Sequence, residues 1–305
     1  MELDSLIVLT GPTAVGKTDL SLELANHLGA EIISADSRQV YRELQIGTAK
    51  PEPAALAAVP HHFINELSIT QPFTAGRFQR EAHSRMDEIV ARGRRPIIVG
   101  GSTLYIHALT HGLAEIPEVP PAIRVEIESE LRTDGPAPLF AELQKVDPQS
   151  AGTMDPTKTQ RLVRALEVYR ATGKPLSTYH DDQSPPSHRF RTLVLNRERD
   201  VLYERINERV DDMLSSGLLD EVRHLLGVGF DPDLNPLKTI GYQEPIGHLK
   251  GEISYSEMVR LVKRNSRRYA KRQLTWFRRD EDNIWLDASV PQDDLLKQII
   301  TISED

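Results

Sequence analysis

The sequence predicts an α/β fold in which a mainly parallel sheet is flanked by helices and interrupted by an inserted, mostly helical domain. Two observations predict the sheet: short apolar runs alternate with helical patterns, and the first run leads directly into a glycine-bearing loop and a helix. A third observation predicts the insertion, because ten of the chain's twenty prolines fall between residues 112 and 189, where the other patterns are helical.

The elements of the sheet follow in order along the chain. The run SLIVLT at 5–10 predicts the first strand, and leucines at 20, 24 and 28 predict the helix that follows it. Further strands are predicted at 31–34 (EIIS), 95–100 (RPIIVG), 192–196 (TLVLN) and 283–287 (NIWLD), with helical patterns at 79–91 and 202–226 among those between them. Alternation of this kind is typical of a parallel sheet covered on both faces.

The predicted domain boundaries are residues 1–112 with 190–305 for the core, and 113–189 for the insertion. The clearest helix of the insertion carries Leu162, Leu166 and Tyr169 on one face and ends before Gly173. The core ends in a basic helical segment.

Composition excludes several classes of protein. The 305 residues include no cysteine, which excludes disulfides, thiolate zinc sites, iron–sulfur clusters and cysteine nucleophiles. No apolar run approaches the ~18–20 residues that span a bilayer, and the N-terminal segment lacks the basic start of a signal peptide. We therefore expect a cytoplasmic protein without a membrane partner, and, since nothing indicates an extensive apolar interface, a monomer.

Positive charge is concentrated in one segment. Residues 258–279 (MVRLVKRNSRRYAKRQLTWFRR) contain nine Lys or Arg and no acidic residue, and removing these charges from the net of −8 leaves −17 on the rest of the chain. Cations interleaved with Tyr269, Trp276 and Phe277 are typical of binding to single-stranded or loop RNA. A basic helix on a membrane surface is the alternative, which the spread of arginines around the helix disfavours.

The loop after the first strand matches the phosphate-binding pattern G-x-x-x-x-G-K-[ST]. Its residues are Gly11, Pro12, Thr13, Ala14, Val15, Gly16, Lys17 and Thr18. Backbone N–H groups and the helix N-terminus surround a phosphate in such a loop, the lysine adds a cation, and the Thr18 hydroxyl can hold Mg²⁺. A chance Gly-Lys turn is the alternative, and the strand–loop–helix context argues against it. The sequence thus predicts a P-loop core that binds a di- or triphosphate, without specifying a reaction.

Two further polar residues follow predicted strands. Asp36 comes directly after the strand at 31–34, and Ser102 follows the strand at 95–100. Ligands of open α/β sheets bind beyond the carboxyl ends of the strands, so we expect Gly11, Asp36 and Ser102 to converge. An N-cap of a following helix is the alternative role for Asp36.

Other polar patterns leave two interpretations open. Gln160, Arg161 and Arg164 share one helical side, which suits either a solvated face or RNA recognition. Arg197, Arg199, Arg205 and Arg209 would suit a leaving diphosphate, or salt bridges to Glu198, Glu204 and Glu208. The basic loop 47–51 is equally compatible with phosphate contact and with a surface turn. The adjacent His61 and His62 are poorly spaced for a metal.

Together these segments resemble the tRNA dimethylallyltransferases, also called tRNA isopentenyltransferases, in their shorter bacterial form. The resemblance is carried by GPTAVGKT at 11–18, SADSRQVY at 34–41, IGTAKP at 46–51, HHFI at 61–64, GGSTLY at 100–105, QRLVRALEVY at 160–169, KTIGYQE at 238–244 and RRYAKRQLTWFR at 267–278. It implies transfer of a dimethylallyl group from dimethylallyl diphosphate to N6 of adenine 37 in the tRNA anticodon loop, with Mg²⁺ as cofactor.

The resemblance also implies roles for individual residues. Asp36 would be the general base, Lys17 and Thr18 would bind diphosphate and Mg²⁺, and Ser102 would lie near the adenine where the family usually has threonine. Beside these, the negative charge that grows on the leaving diphosphate calls for an arginine such as Arg209. The residues expected to contact tRNA are Asp36, Ser37, Arg38, Gln39, Ser102, Arg124, Gln160, Arg161, Leu162, Val163, Arg164, Lys238, Thr239, Ile240, Gly241, Tyr242, Gln243, Arg267, Arg268, Lys271 and Arg272.

Three other functions remain for comparison. A small-molecule kinase would share the loop and sheet but leaves the basic segment without a role. A P-loop switch protein would require D-x-x-G and N-K-x-D segments, and the sequence has neither. A passive RNA-binding protein would leave the loop, Asp36 and Ser102 unexplained.

Overall fold

The protein is described by a computed structural model covering residues 5–114, 116–155, 157–180 and 186–304. Its strands are β1 (Leu6–Thr10), β2 (Ala30–Ala35), β3 (His61–His62), β4 (Arg95–Gly100), β5 (Phe190–Asn196) and β6 (Ile284–Asp287). Within the described residues they form one sheet in the order β3-β2-β4-β1-β5-β6, and each neighbouring pair is parallel. The predicted parallel α/β sheet is confirmed.

The helices of the described residues lie between and after these strands. They are α1 (Lys17–Leu28), α2 (Pro53–Ala58), α3 (Ala75–Ala91), α4 (Thr103–His111), α5 (Pro121–Asp134), α6 (Pro136–Val146), α7 (Pro148–Thr153), α8 (Thr159–Thr172), α9 (Leu176–His180), α10 (Arg199–Ser215), α11 (Leu218–Gly227), α12 (Gln243–Leu249), α13 (Tyr255–Phe277) and α14 (Gln292–Glu304), with a 3₁₀ turn at Asn235–Lys238.

Helices cover both faces of the sheet, as the continuous burial of β1 requires. Alternate residues of a strand point to opposite faces, so Ile7 and Leu9 lie on one side and Val8 on the other. On the first side the apolar core continues into α1, α10 and α14 through Leu20, Leu24, Leu202, Ile206, Leu295 and Ile299. On the other side α3 packs against β4.

One predicted helix is two helices in the structure. The pattern at 202–226 reads as continuous, but α10 ends at Ser215 and α11 begins at Leu218. Gly217 between them has φ of +98°, in the left-handed region that glycine adopts most readily and that interrupts a right-handed helix. Periodicity alone did not show the break because apolar spacing resumes in phase after it.

The chain contacts divide into two compact units. One comprises Met1–Thr110 with Ser187–Asp305 and contains the sheet; the other is His111–Pro186. The second unit has its own apolar core, contributed mainly by α5, α6 and α8: Ile127, Leu139, Leu143, Leu162 and Leu166. On its surface Arg170 pairs with Glu130 and Glu142 at 2.7 and 2.5 Å.

The sheet order sets the position of the site. Strands β2, β4 and β1 are consecutive neighbours, and their carboxyl ends are aligned by the pairings of Ala35 and Thr10 with Gly100. The three loops that leave these ends therefore start side by side.

Candidate functional site

The phosphate-binding loop connects β1 to α1 as predicted, and Lys17 is the first residue of the helix. The Lys17 amine donates hydrogen bonds to the carbonyl oxygens of Gly11 at 3.0 Å and Pro12 at 2.8 Å. Burial of this amine, together with the positive charge of Arg209, lowers the pKa of Lys17 to about 7, against the opposing effect of Asp36. The loop therefore holds a cation whose charge is poised to respond to a bound anion.

Arginines from β5 and α10 fix the loop from outside. Arg197 Nε donates to the carbonyl of Val15 at 3.0 Å, and Arg205 Nε donates to that of Ala14 at 2.9 Å. Arg209, one helical turn beyond Arg205, is the more enclosed, and burial lowers the pKa of its guanidinium while the nearby Asp36 raises it. Arg197 and Arg205 thus bind carbonyl groups of the loop, whereas the alternative interpretation assigned them salt bridges to adjacent glutamates.

Asp36 follows β2 and ends in a tight turn. Its Oδ1 accepts hydrogen bonds from the backbone N–H groups of Arg38 at 2.8 Å and Gln39 at 3.3 Å. No helix begins here, so Asp36 is not a helix N-cap; it orders a turn instead. Hydrogen bonds among the described residues occupy only Oδ1, which leaves Oδ2 available to a ligand.

The end of β4 contacts the Asp36 turn directly. The Ser102 hydroxyl oxygen accepts a hydrogen bond from Ser37 N–H at 2.9 Å, and Ser102 N–H donates to the carbonyl of Ala35 at 3.2 Å. A side chain at Gly100 would overlap the backbone of Ala35, so the close approach of β2 and β4 requires glycine there. The predicted convergence of the first loop, Asp36 and Ser102 is confirmed.

The side chains after Asp36 are engaged within the protein. Arg38 Nε donates to Thr239 Oγ1 at 2.5 Å. The Gln39 amide donates to the carbonyls of Thr48 at 3.2 Å and Ala49 at 3.3 Å. Lys50 in the same basic loop donates to the Tyr41 carbonyl and to Asn65. Its neighbours Gly47, Thr48, Ala49 and Pro51 line the cavity described next, so the loop faces the site while the lysine amine is engaged within the protein.

These loops border one cavity of about 540 Å³ within the first unit. Predicted site residues that line it are Thr13, Ala14, Val15, Gly16, Lys17, Thr18, Asp36, Ser37, Arg38, Gln39, Ser102, Arg209, Thr239, Ile240 and Gly241. The cavity thus joins cationic groups suited to phosphate with a carboxylate whose Oδ2 accepts no hydrogen bond from the part of the chain that the structure describes.

Helix α13 contains most of the basic segment and has two different sides. Val262, Ser266, Tyr269 and Gln273 recur at spacings of four, three and four residues and line the cavity. The exposed cations of the segment from Arg267 onward are Arg268, Lys271, Arg272, Arg278 and Arg279.

Two of the three aromatic residues predicted to stack on bases do not lie on that exposed side. Phe277 is buried in the core, and Tyr269 faces the cavity. Arg267 is half-buried and donates to Asn207 on α10. The basic character of the segment therefore resides in fewer exposed side chains than its sequence predicts.

The predicted tRNA contacts of the second unit separate into exposed and buried residues. Gln160 and Arg161 at the start of α8 are exposed, whereas Leu162 and Val163 belong to the apolar core. The side chains of Leu162 and Val163 have almost no exposed surface, so the contact with tRNA predicted for these two residues remains a prediction that only their backbone could meet. Arg164 and Arg124 bracket the buried Glu167 at 2.6 and 3.3 Å.

The segment 238–243 shows the same division. Lys238, paired with Asp233 at 3.1 Å, and Gln243 are exposed. The Tyr242 ring is fully buried beneath Gly47, and its hydroxyl donates to Glu221 at 2.6 Å. Tyr242 thus supports the loop 45–47, and its side chain is unavailable to tRNA.

Sequence analysis missed Gln273, which is almost fully buried at 2% exposure. Its Oε1 accepts a hydrogen bond from Thr13 N–H at 3.0 Å, and its Nε2 donates to the carbonyl of Gly101 at 2.7 Å. The sequence does carry one indication of this role. Gln273 is an uncharged amide four residues after Tyr269, and so lies on the same side of a helix whose other polar residues are mostly charged.

Neither a metal cluster nor a membrane span emerges from the described residues. No three His, Cys, Asp or Glu side chains among them are arranged to hold a metal ion. His62, for example, pairs with Glu31 at 2.8 Å. None of the described helices combines the length and apolar character needed to cross a bilayer.

The chain is similar to known proteins in both sequence and structure. The IPP transferase family model matches residues 39–280. The tRNA dimethylallyltransferase of Salinibacter ruber is 58% identical over 283 residues, covering 92% of this chain and 87% of that protein. The tRNA dimethylallyltransferase 1 of Pelobacter propionicus is 44% identical over 304 residues, covering 99% and 98% of the two chains.

Solved structures agree with these relatives. The full-length tRNA isopentenylpyrophosphate transferase from Bacillus halodurans is 39% identical with a TM-score of 0.72, covering 98% of this chain and 95% of that one. A eukaryotic dimethylallyltransferase, captured in crystallographic snapshots acting on tRNA, is 30% identical with a TM-score of 0.84, covering 99% and 79%. Since the family match extends from the Asp36 turn to just beyond α13 and close relatives align over nearly the whole chain, this protein belongs to the IPP transferase family.

Proposed function

We propose that this protein transfers a dimethylallyl group from dimethylallyl diphosphate to N6 of adenine 37 in tRNA and releases diphosphate. The observation that carries the proposal is the shared cavity of Asp36 and the phosphate-binding loop. One boundary of that cavity suits an anionic leaving group and another offers a base. The relatives from Salinibacter ruber and Pelobacter propionicus are named tRNA dimethylallyltransferases, which supports the same reaction.

The acceptor side of the reaction depends on Asp36. The exocyclic amine of adenine is a weak nucleophile because its lone pair is delocalised into the ring. A bond from N6 to the allylic carbon therefore forms as the C–O bond to diphosphate breaks and a proton leaves N6. Asp36 Oδ2 takes that proton, while two backbone N–H groups on Oδ1 keep the carboxylate oriented.

The leaving diphosphate accumulates negative charge at the loop. The N-terminus of α1, Lys17 and Arg209 oppose that charge from fixed positions. An anion beside Lys17 raises the pKa of its amine again, so the lysine is fully charged when the donor is bound. This loop serves a leaving group and transfers no phosphoryl group.

The residues around the loop fit Mg²⁺. Thr18 lies in the first turn of α1 with its side chain exposed, and its hydroxyl is of the hard oxygen type that Mg²⁺ prefers. Mg²⁺ typically keeps waters and uses few protein ligands plus substrate phosphates, in agreement with the lack of an acidic cluster among the described residues. When bound, the ion would neutralise charge on the diphosphate.

Binding of tRNA is proposed to use the exposed cations of α13. Three of these cations are exposed and do not line the cavity: Arg268, Lys271 and Arg272. On the outer sides of the helix they can contact backbone phosphates of tRNA. In the second unit the exposed Gln160 and Arg161 are the candidates. An anticodon-loop base is easily extruded from its stack, which suits a reaction inside a cavity. With tRNA as substrate, we place the reaction in the cytoplasm.

The test is a direct assay of the product. Purified protein is incubated with Mg²⁺, labelled dimethylallyl diphosphate and unmodified tRNA, and the digested RNA is analysed by mass spectrometry for N6-dimethylallyladenosine. We expect this nucleoside with wild-type protein and its absence with tRNA that carries guanine at position 37. ATP is added to a parallel incubation, and its consumption with no modified nucleoside would instead support a kinase.

A further inference from the structure

The buried amide of Gln273 connects two loops that the proposed reaction uses separately. Thr13 lies in the phosphate-binding loop, and Gly101 directly precedes Ser102 in the loop after β4. Gln273 accepts from the first at 3.0 Å and donates to the second at 2.7 Å, so both ends of the amide are committed to backbone groups. A buried amide satisfied in this way resists displacement, because losing either partner leaves a polar group unpaired.

The contacts continue from Gly101 to the base. Ser102 accepts a hydrogen bond from Ser37 N–H at 2.9 Å, and Ser37 is the neighbour of Asp36. A continuous chain of contacts therefore runs from Thr13 through Gln273, Gly101 and Ser102 to the Asp36 turn. Backbone atoms form most of this chain, and Gln273 is the long side chain within it.

We infer that Gln273 is a positioning residue that sets the separation between the diphosphate loop and the base loop. The inference rests on the proposed function, in which the allylic donor is held by the first loop and the proton acceptor by the second. Reactions between two held groups are sensitive to displacement, and an error of ~1 Å can cost about 10²-fold in rate. Gln273 also lies on α13, so the helix that carries the exposed cations fixes this separation.

The first experiment replaces the amide by a side chain of similar length without hydrogen-bonding groups. In Gln273→Met we expect kcat to fall roughly 10- to 100-fold while Kd for inorganic pyrophosphate changes by less than about threefold. Gln292→Met, at an exposed glutamine on α14, is the matched control and should retain wild-type kcat. An unchanged kcat in Gln273→Met overturns the inference, and so does a loss of pyrophosphate affinity equal to the loss of kcat.

A second measurement needs no turnover. Amide hydrogen exchange at Thr13, followed by NMR, should be about tenfold faster or more in Gln273→Met than in wild type, because the acceptor of that N–H is gone. Equal exchange rates overturn the inference. A wild-type protein that forms no modified adenosine refutes the proposed function, whereas the exchange rates still decide whether Gln273 fixes the loop.

A third variant tests the same contact from the Gly101 side. A Cβ on Gly101 would lie 2.6 Å from Gln273 Nε2, so Gly101→Ala should push the amide away from the Gly101 carbonyl. We expect Gly101→Ala to lower kcat about tenfold in wild type and less than about twofold in a Gln273→Ala background, where space is open. Equal effects in both backgrounds overturn the inference.

Discussion

Ser102 and Ser37 are joined by a hydrogen bond of 2.9 Å in which the Ser102 hydroxyl oxygen accepts from the Ser37 backbone N–H. The residue that follows β4 thus holds the residue that follows Asp36. A hydroxyl at position 102 orients the base loop even before any adenine arrives.

This contact predicts different outcomes for two substitutions of Ser102. Ser102→Ala removes the acceptor, and we expect kcat to fall about three- to tenfold, the weight of one hydrogen bond. Ser102→Thr keeps the hydroxyl and should stay within about twofold of wild type. Steady-state kinetics with tRNA and dimethylallyl diphosphate make the comparison, and a threonine variant as slow as the alanine variant would contradict it.

Asp36→Asn tests the base itself. The amide can still accept the turn hydrogen bonds of Arg38 and Gln39 through one oxygen but cannot take a proton from N6. We expect kcat to fall roughly 10²- to 10⁴-fold, with Kd for tRNA within about threefold of wild type. Single-turnover kinetics and filter binding measure the two quantities, and unimpaired single-turnover rates would exclude Asp36 as the base.

The exposed cations of α13 predict a change in salt dependence. Replacing Arg268 and Lys271 by alanine should weaken tRNA binding and reduce the slope of log K against log salt by about 0.7–0.9 for each lost phosphate contact. Arg267 is a poorer target because it contacts Asn207. Replacement of the exposed Lys297 and Arg223 by alanine is the matched control, and a slope that changes equally in both double variants would place the RNA surface elsewhere.

The pKa of Lys17, lowered to about 7 chiefly by burial, predicts proton uptake when an anion binds. Above pH 7 the free lysine is mostly neutral, and a bound diphosphate raises its pKa, so binding of inorganic pyrophosphate should weaken as pH rises from 7 to 9. Isothermal titration calorimetry in buffers of different ionisation enthalpy measures the uptake directly. Lys17→Arg remains charged throughout and should take up fewer protons than wild type, since ionisation of the ligand is common to both.

A pair of histidines predicts that stability falls in acid. His83 Nδ1 and His188 Nδ1 lie 3.2 Å apart, and His188 Nε2 lies 3.2 Å from Asp87. Burial, followed by the charge of His188, lowers the pKa of His83 below its ordinary 6.5, against the effect of Asp87. The unfolded chain therefore binds more protons, and the stability contributed by neutral His83 is present above pH 6.5 and is lost as pH falls below it.

Thermal unfolding between pH 5 and 7.5 measures this effect. The Tm of wild type should fall more steeply towards pH 5 than that of His83→Gln, which has no imidazole to protonate. His27→Gln, at an exposed histidine in α1, should follow wild type. Parallel curves for wild type and His83→Gln would show that protonation of His83 does not contribute to unfolding in acid.

Much of the site was predictable because strand ends carry positional information. Once β1, β2 and β4 are identified as parallel neighbours, Gly11, Asp36 and Ser102 must lie at one edge of the sheet. The break between α10 and α11 was not predictable in this way, because a glycine between apolar residues in helical phase also occurs within helices.

Burial of individual residues limited the predictions of RNA contact. Phe277 and Tyr242 carry side chains that suit either base stacking or a core, and only tertiary packing selects the core. Gln273 escaped notice for a related reason. Its function depends on two backbone groups that are 260 and 172 residues away in the chain, at Thr13 and Gly101.

The close approach of β2 and β4 at Gly100 means that a loss of activity on substitution does not by itself identify a catalytic residue. Gly100 has no chemistry of its own, yet any side chain there would force the two strands apart and displace the loops that follow them. A saturation mutagenesis experiment would rank Gly100 beside Asp36 in severity. Biophysical assays of the folded variants would be needed to distinguish the structural role of Gly100 from the chemical role of Asp36, since loss of product would look the same for both.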